Sequence, residues 1–358
     1  MTSMADLKQV TFAPDVLERI APDVSLQRHL ALGIRPNLRN FNEFKSIEYG
    51  NSSQLQQNSD NVFASSILKS GSTTVINTIS LSIVEDLKGN GNSGNQQSNQ
   101  YASIYPQVEI LRGRSGAPTD EEMILSQNLY ESFRNCRIIP AIGLKIDNLG
   151  LAVKDERTGE EQVLYPDLHE SQWQYINLSS MHNKQFSFVL HSNIKIFSRQ
   201  VSTNSLFDLC FASCLKALQD LKLPRCYVDD SVTTKISIRS RKSSARGTVD
   251  ADKGNLTLDS RQEMLFNLQL NVPNATVSSN FGVIKEDKKD GKTILLADLE
   301  GEAEESSVLS RISIICNDKE TINKISLVSD GAINLDVLKQ AIEMSKKRAE
   351  FQSSNAIE

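Results

Sequence analysis

The stretch Ser205–Leu223 constrains this fold more than any other. Leu206, Leu209, Cys210, Ala217, Leu218 and Leu221 recur at helical spacing, and Pro224 stands just past the end. Their arc is too wide for a helix with one wet face, so the sequence predicts a helix sandwiched between layers. Phe186–Phe197, just before it, is a strongly apolar run that reads as a buried strand.

Strand signals surround this pair. Phe44–Tyr49, Val62–Lys69, Thr73–Val84 and Tyr101–Leu111 come first, the β-branched run Thr74–Ile79 being the clearest. Lys235–Arg239, Leu256–Leu258, Leu265–Val272, Thr276–Lys285, Thr293–Leu299, Val308–Asn317 and Ile325–Ser329 follow. Helices are predicted over Pro14–Ile20, over Ser25–Leu32 with Ser25 as cap and Gly33 as stop, and from a cap at Asn334 to about Glu350. Another starts at Thr119, where Glu122 three residues on completes a capping box, and runs to Asn135. Runs of strands with packed helices in both halves give an α+β chain with mixed sheets. Residues 86–100 are a polar surface insertion, 146–172 an inserted hairpin turning at Asp155–Glu160, and 351–358 a flexible tail.

Charge excludes one broad class. The net charge is −5 and the pI about 5.6. A stand-alone nucleic-acid binder needs a basic excess to neutralise phosphates, so any RNA contact must be local or shared with other chains. The five cysteines form no Cys-x-x-Cys pair, and Cys210 and Cys214 read as core residues on one helix face. That usage suits a reducing compartment. No basic start leads into an apolar run at the N-terminus, and no stretch approaches the ~20 apolar residues of a membrane span, so a soluble intracellular protein is expected. Four histidines in no metal-binding spacing, and no phosphate loop or nucleophile elbow, leave no metal or cofactor expected.

Five elements carry a resemblance. Arg35-Pro36-Asn37-Leu38-Arg39 resembles the Arg-Pro-Asp-Gly-Arg element that opens RNase PH-fold proteins, with Asp and Gly replaced. Ser70-Gly71-Ser72-Thr73-Thr74-Val75 resembles that family's Gly-x-Thr-x-Val strand. Val108-Glu109 with Thr119–Glu122 resembles its strand, loop and acidic helix start. Ser205–Pro224 matches its central helix, and Ala297-Asp298-Leu299 with Glu302–Glu305 its acidic second-half motif. In this order they span residues 35–350, and with the leader Ser25–Leu30 they are similar to the non-catalytic RNase PH-like subunits of the eukaryotic RNA exosome ring.

The resemblance implies an RNase PH fold. A 1–34 helical extension precedes a ribosomal protein S5-like half over 35–228, then a C-terminal RNase PH half over 229–350. It implies obligate pairing with another RNase PH-like subunit inside a six-membered ring. S1/KH cap proteins, a catalytic nuclease elsewhere and RNA in the channel follow from it, as does residence in nucleus, nucleolus and cytoplasm. Active relatives hold phosphate with a Gly-Thr-Arg-Thr loop at the start of the central helix. Here Ser205, Phe207 and Asp208 stand there and the arginine is missing. A carboxylate ~4 Å from phosphate costs on the order of 4 kcal/mol at an effective dielectric of ~20, more than the ~1 kcal/mol a helix end returns. Alternatively, Asp208 is a first-turn acid favouring the helix dipole.

Asp298, Glu304 and Glu305 read as an acidic remnant: a solvated loop, an interface, or, if the phosphate site were intact, acids able to bind Mg²⁺ or donate a proton. Arg112 and Arg114, among glycines, are candidates for the RNA path or for intersubunit ion pairs. Arg239, Arg241 and Lys242 are candidates for RNA or partner contact, or simply a solvated loop. A non-catalytic ring subunit is therefore expected. An active phosphate-dependent 3'-5' exoribonuclease and an adaptor working through 86–100 and 146–172 are the alternatives.

Overall fold

The structure is a computed structural model that describes residues 12–57, 61–86, 100–113, 116–154, 161–176, 180–197, 203–229, 235–239, 246–250, 255–259, 261–271, 276–285, 293–317, 321–329 and 333–355.

Helices α1 (Pro14–Ile20) and α2 (Pro22–Ala31) lead into β1 (Glu48–Gly50), β2 (Ala64–Ser70), β3 (Thr73–Glu85) and β4 (Tyr105–Ile110). Helix α3 (Asp120–Asn135) precedes the hairpin β5 (Gly150–Lys154) and β6 (Glu161–Leu164), then the long strand β7 (Phe186–Phe197) and helix α4 (Thr203–Gln219). After β8 (Cys226–Asp229) and β9 (Asn255–Leu258) come β10 (Val277–Lys285), β11 (Thr293–Ala297), α5 (Glu302–Ser307), β12 (Ser310–Cys316), β13 (Ile322–Ser329) and α6 (Leu335–Asn355).

The first sheet runs β1-β2-β3-β7-β4. Its spine is the antiparallel pairing of β7 with β3 from Phe186↔Glu85 to Phe197↔Thr74. β4 adds in parallel on the far edge of β7. The second sheet, β11-β10-β12-β13, is antiparallel throughout. Strand β10 is buried at every position but Lys285, because α4 covers one face of its sheet and α6 packs on it as well. Helix α4 thus lies between β2 and β3 on one side and β10 on the other, the sandwich that its wide apolar arc demands. Phe211 on α4 is 1% exposed and stacks on Phe133 of α3 at 4.9 Å. All five cysteines are free and buried; burial pushes the Cys214 thiol up to about 12, as fits core residues.

Several local expectations are corrected. Ser25 does not cap α2: proline opens that helix at Pro22, which leaves Ser25 buried in its interior. Gly33 does end it, at φ 75°. Phe44–Tyr49 shrinks to Glu48–Gly50, because Phe44 packs edge-on against Phe281 at 5.5 Å and under the Arg348 guanidinium at 4.1 Å instead of entering the ladder. Among the described residues of Leu265–Val272 only Phe266–Asn267 is strand, since the N–H groups divide between unrelated acceptors, Leu268 to Leu221 O and Asn271 to Ile138 O. Helix α6 continues to Asn355, beyond the tail boundary expected at 351, and the Asn334 side chain accepts from the Asp336 N–H at its start. The 146–172 hairpin is built into a sheet: β5 pairs in parallel with β8 and antiparallel with β6. Its turn 155–160 and nearly all of the insertion 86–100 lie outside the described residues.

Candidate functional site

The segment 35–45 crosses from α2 onto the second sheet and binds the residues after β11. Arg35 is fully buried. Its Nε and Nη2 donate to the two carboxylate oxygens of Glu304 at 2.8 and 2.6 Å, a bidentate pair. Its Nη1 donates to Ala297 O at 2.7 Å, and Nη2 also to Asp298 O at 3.0 Å. The Glu304 carboxylate accepts from the Glu300 N–H as well, so both oxygens are engaged.

A second layer surrounds Arg39. Its Nη2 donates to Asp298 O and to Glu300 Oε2, each at 2.9 Å, while Nη1 lies 3.4 Å from Asp298 Oδ2. Lys45 contributes twice: its backbone N–H donates to Asp298 Oδ2 at 3.0 Å and its ammonium pairs with Glu300 Oε1 at 2.9 Å. Asn37 Nδ2 donates to Glu300 Oε2 at 3.0 Å, and Asn37 Oδ1 accepts the Arg39 N–H, an Asx turn that aims the arginine. Leu38, where the resembling element has glycine, takes φ 62°, a left-handed conformation costing a branched side chain on the order of 1 kcal/mol. Burial raises the Glu300 carboxyl, but Lys45 first, then Arg39 and Asn37, pull it below the usual glutamate range.

Glu300 faces a small cleft lined also by Lys45, Ser70, Thr73, Ser205 and Gly301, with Leu206 and Leu209 of α4 forming an apolar side. The cleft therefore joins the β2–β3 turn, the start of α4 and the acidic segment after β11. Thr74 and Phe197 pair across β3 and β7, and Leu111 N–H donates to Ile196 O, so Arg112 leaves the same end of this sheet, about two strand spacings or ~10 Å sideways. Arg112 is held there by the Thr119 hydroxyl at 3.2 Å and by Glu121 at 3.6 Å. The helix it touches begins as expected: the Thr119 N–H and hydroxyl both donate to the Glu122 carboxylate, at 2.7 and 3.0 Å.

The candidates from sequence fall into separate places. Ser205 lines the cleft. Phe207 stacks on Phe211 at 6.1 Å. Asp208 corrects both of its readings. The helix starts at Thr203, so Asp208 lies beyond the first turn, and it is buried, accepting from Ser278 Oγ at 2.5 Å and Asn280 Nδ2 at 2.6 Å, with Arg348 at 3.9 Å. It ties α4 to β10 and α6 rather than repelling an anion in the cleft. Asp298 and Glu304 are buried, not a solvated loop, because Arg35 and Arg39 neutralise them; Glu305 is half-buried on the same short helix. Arg239 ends a strand paired to Arg246, while Arg114, Arg241 and Lys242 lie outside the described residues. Lys45 was missed, since nothing local marks a lysine beside Phe44 as a partner of a glutamate 255 positions on. Among the described residues no group of three or more metal-ligating side chains converges.

Burial pushes the Asp208 carboxyl up to about 6, with Arg348, Ser278 and Asn280 opposing and the Asp298 charge adding to the rise. Between pH ~4 and ~6 the folded chain then keeps a proton that the unfolded chain has lost. Stability is expected to fall across that window by roughly 3 kcal/mol and to change no further above it from this group. Urea unfolding of wild type and Asp208→Asn at pH 4 and 7 measures this: the difference between them should shift by that amount, and parallel pH profiles would refute it.

The profile of the family described as 3' exoribonuclease family, domain 1, matches residues 43–224, from just before the cleft lysine to just past the central helix. The chain belongs to that family. A similar protein is the exosome complex component rrp43 of Schizosaccharomyces pombe (strain 972), 21% identical over 239 residues, 65% of this chain and 69% of that protein. Two solved structures share the fold. The Archaeoglobus fulgidus exosome with RNA bound to the active site gives a TM-score of 0.58 at 13% identity, covering 95% of this chain and 99% of that one. An archaeal exosome core gives 0.53 at 14%, covering 96% and 99%. The α+β arrangement of two sheets about α4 is accordingly the RNase PH fold.

Proposed function

We propose that this 3' exoribonuclease family member is a non-catalytic subunit of an RNA exosome ring, supporting 3'-5' RNA processing and degradation by helping to build the channel. Family membership, the S. pombe relative named as an exosome component and the fold shared with archaeal exosome structures support the ring assignment. One observation carries the non-catalytic part. Lys45, the one cation among the described cleft-lining residues, is ion-paired to the chain's own Glu300. Glu304, the acid in line for proton or metal chemistry, has both oxygens held by Arg35. An acid so neutralised offers no basic site and no open metal position.

In this reading the partners are other RNase PH-like ring subunits, S1/KH cap proteins and a nuclease that does the cutting. Arg112 and Arg114 take the RNA path, and Arg239, Arg241 and Lys242 a partner or RNA contact. The working places are the nucleus, nucleolus and cytoplasm. The proposed halves are 35–228 and 229–350, with the β8–β9 ladder joining them across that limit.

The test is co-expression with an RNase PH-like partner, then RNA, inorganic phosphate and Mg²⁺. A stable heterodimer releasing no nucleoside diphosphate is expected. Diphosphate release lost on Glu304→Gln or Glu305→Gln makes the chain an active phosphorolytic nuclease instead, and a stable monomer that accepts no partner removes the ring assignment.

A further inference from the structure

The two oxygens of Glu300 receive three donors: the Lys45 ammonium at 2.9 Å, Arg39 Nη2 at 2.9 Å and Asn37 Nδ2 at 3.0 Å. Lys45 and Arg39 are only 12% and 14% exposed, so water screens this group far less than a surface ion pair. Arg39 Nε is buried and has no acceptor, so the guanidinium keeps one donor that the carboxylate does not use. A planar guanidinium, an ammonium and an amide converging on one anion is the set that holds a tetrahedral oxyanion as readily as a carboxylate. Glu300 also forms a wall of the cleft, and Gly301, next to it at φ 84°, carries no side chain into that space.

We infer that Glu300 is a built-in anion: its carboxylate fills the cation seat of Lys45 and Arg39, shuts out an external phosphoryl group, and leaves a phosphate-binding place when removed. This rests on the reading of the cleft as non-catalytic and names the residue that makes it so. Glu300 and an external anion cannot occupy the same donors, because like charges ~4 Å apart repel strongly even at an effective dielectric of ~20; Asp298 Oδ2, 3.4 Å from Arg39 Nη1, stands beside the seat in wild type and variants alike. Removing the carboxylate does not disturb Arg35, whose partner is Glu304.

The test titrates inorganic phosphate into the full chain, with its co-expressed partner if needed for solubility, by calorimetry and by thermal shift. Wild type is compared with Glu300→Ala, Glu300→Ser and Glu300→Ser/Lys45→Ala. Both single variants are expected to bind phosphate saturably at millimolar concentration, in competition with sulfate and at least about a hundredfold more tightly than wild type. The double variant is expected to lose most of that gain. Folding is checked by circular dichroism, and the Ser variant decides if the Ala variant is unfolded. Equal binding by wild type and variants, or none by a folded variant, overturns the inference. If both variants unfold without phosphate and stay unfolded with it, Glu300 is a structural ion-pair partner only, and the inference also fails. None of these outcomes depends on nucleoside diphosphate release, which alone tests the non-catalytic reading.

Discussion

Arg35→Ala is expected to remove about 3–5 kcal/mol of stability, measured as the shift in urea unfolding free energy against wild type. The reason is asymmetry. The substitution deletes four hydrogen bonds and leaves the Glu304 carboxylate, 1% exposed, with one N–H donor from Glu300. A buried charge that loses its partner cannot recover its hydration without opening the fold. Folded proteins hold only ~5–15 kcal/mol in total, so the loss takes a large share of the margin. Arg35→Lys is expected to lose a smaller but still large part, since an ammonium cannot bind both oxygens in one plane and two carbonyls besides. The paired replacement Arg35→Met/Glu304→Leu should recover much of the loss, because it removes both charges together. A loss under about 1 kcal/mol for Arg35→Ala would show that the pair is solvated in the native state and defeat this account.

Phe211→Ala is the second large effect, expected at about 3–5 kcal/mol. Its ring lies between Phe133 of α3 and Phe207 of the same helix, at 4.9 and 6.1 Å. It is nearly the largest apolar group in the layer between the first sheet and its helices, and rigid neighbours limit how far the cavity can collapse. Phe207→Ala is expected to cost distinctly less, since that ring is only half-buried and its place can fill with water. Comparable losses at the two positions would argue against this packing. Because α4 also carries Ser205 into the cleft, the Phe211 variant should distort the cleft as well as destabilise the chain.

What the sequence made legible follows the range of the forces involved. The strand Phe186–Phe197, the capping box at Thr119 and the sandwiched helix all declare themselves within a few residues, through alternation, cap chemistry and helical spacing. Helix α5 did not: its acidic, serine-rich sequence reads as a loop, and only Arg35 supplies the countercharge that lets Glu304 be buried in a helix. Asp208 was misplaced for the same reason. Its donors Ser278 and Asn280 lie 70 and 72 residues on, and no local pattern announces a strand that presents hydroxyl and amide groups to a helix. For the site, the two halves were each visible, the Arg-Pro-Asn-Leu-Arg element and the acids from Asp298 to Glu305, but their pairing was not. Opposite charges some 260 positions apart have no spacing rule, and only the folded chain brings them together.

The clasp between Arg35 and Glu304 spans 269 positions of chain. On a ribosome adding ~5–20 residues each second, the arginine emerges roughly 13–54 s before its glutamate exists. During that interval the segment 35–45 has no acidic landing place, and the first sheet can form while its leading strap stays loose. The order of birth thus makes the opening residues of the chain among the last to settle, and any nascent product stopped before Glu304 must carry an unanchored front end, a natural handle for chaperones or proteases.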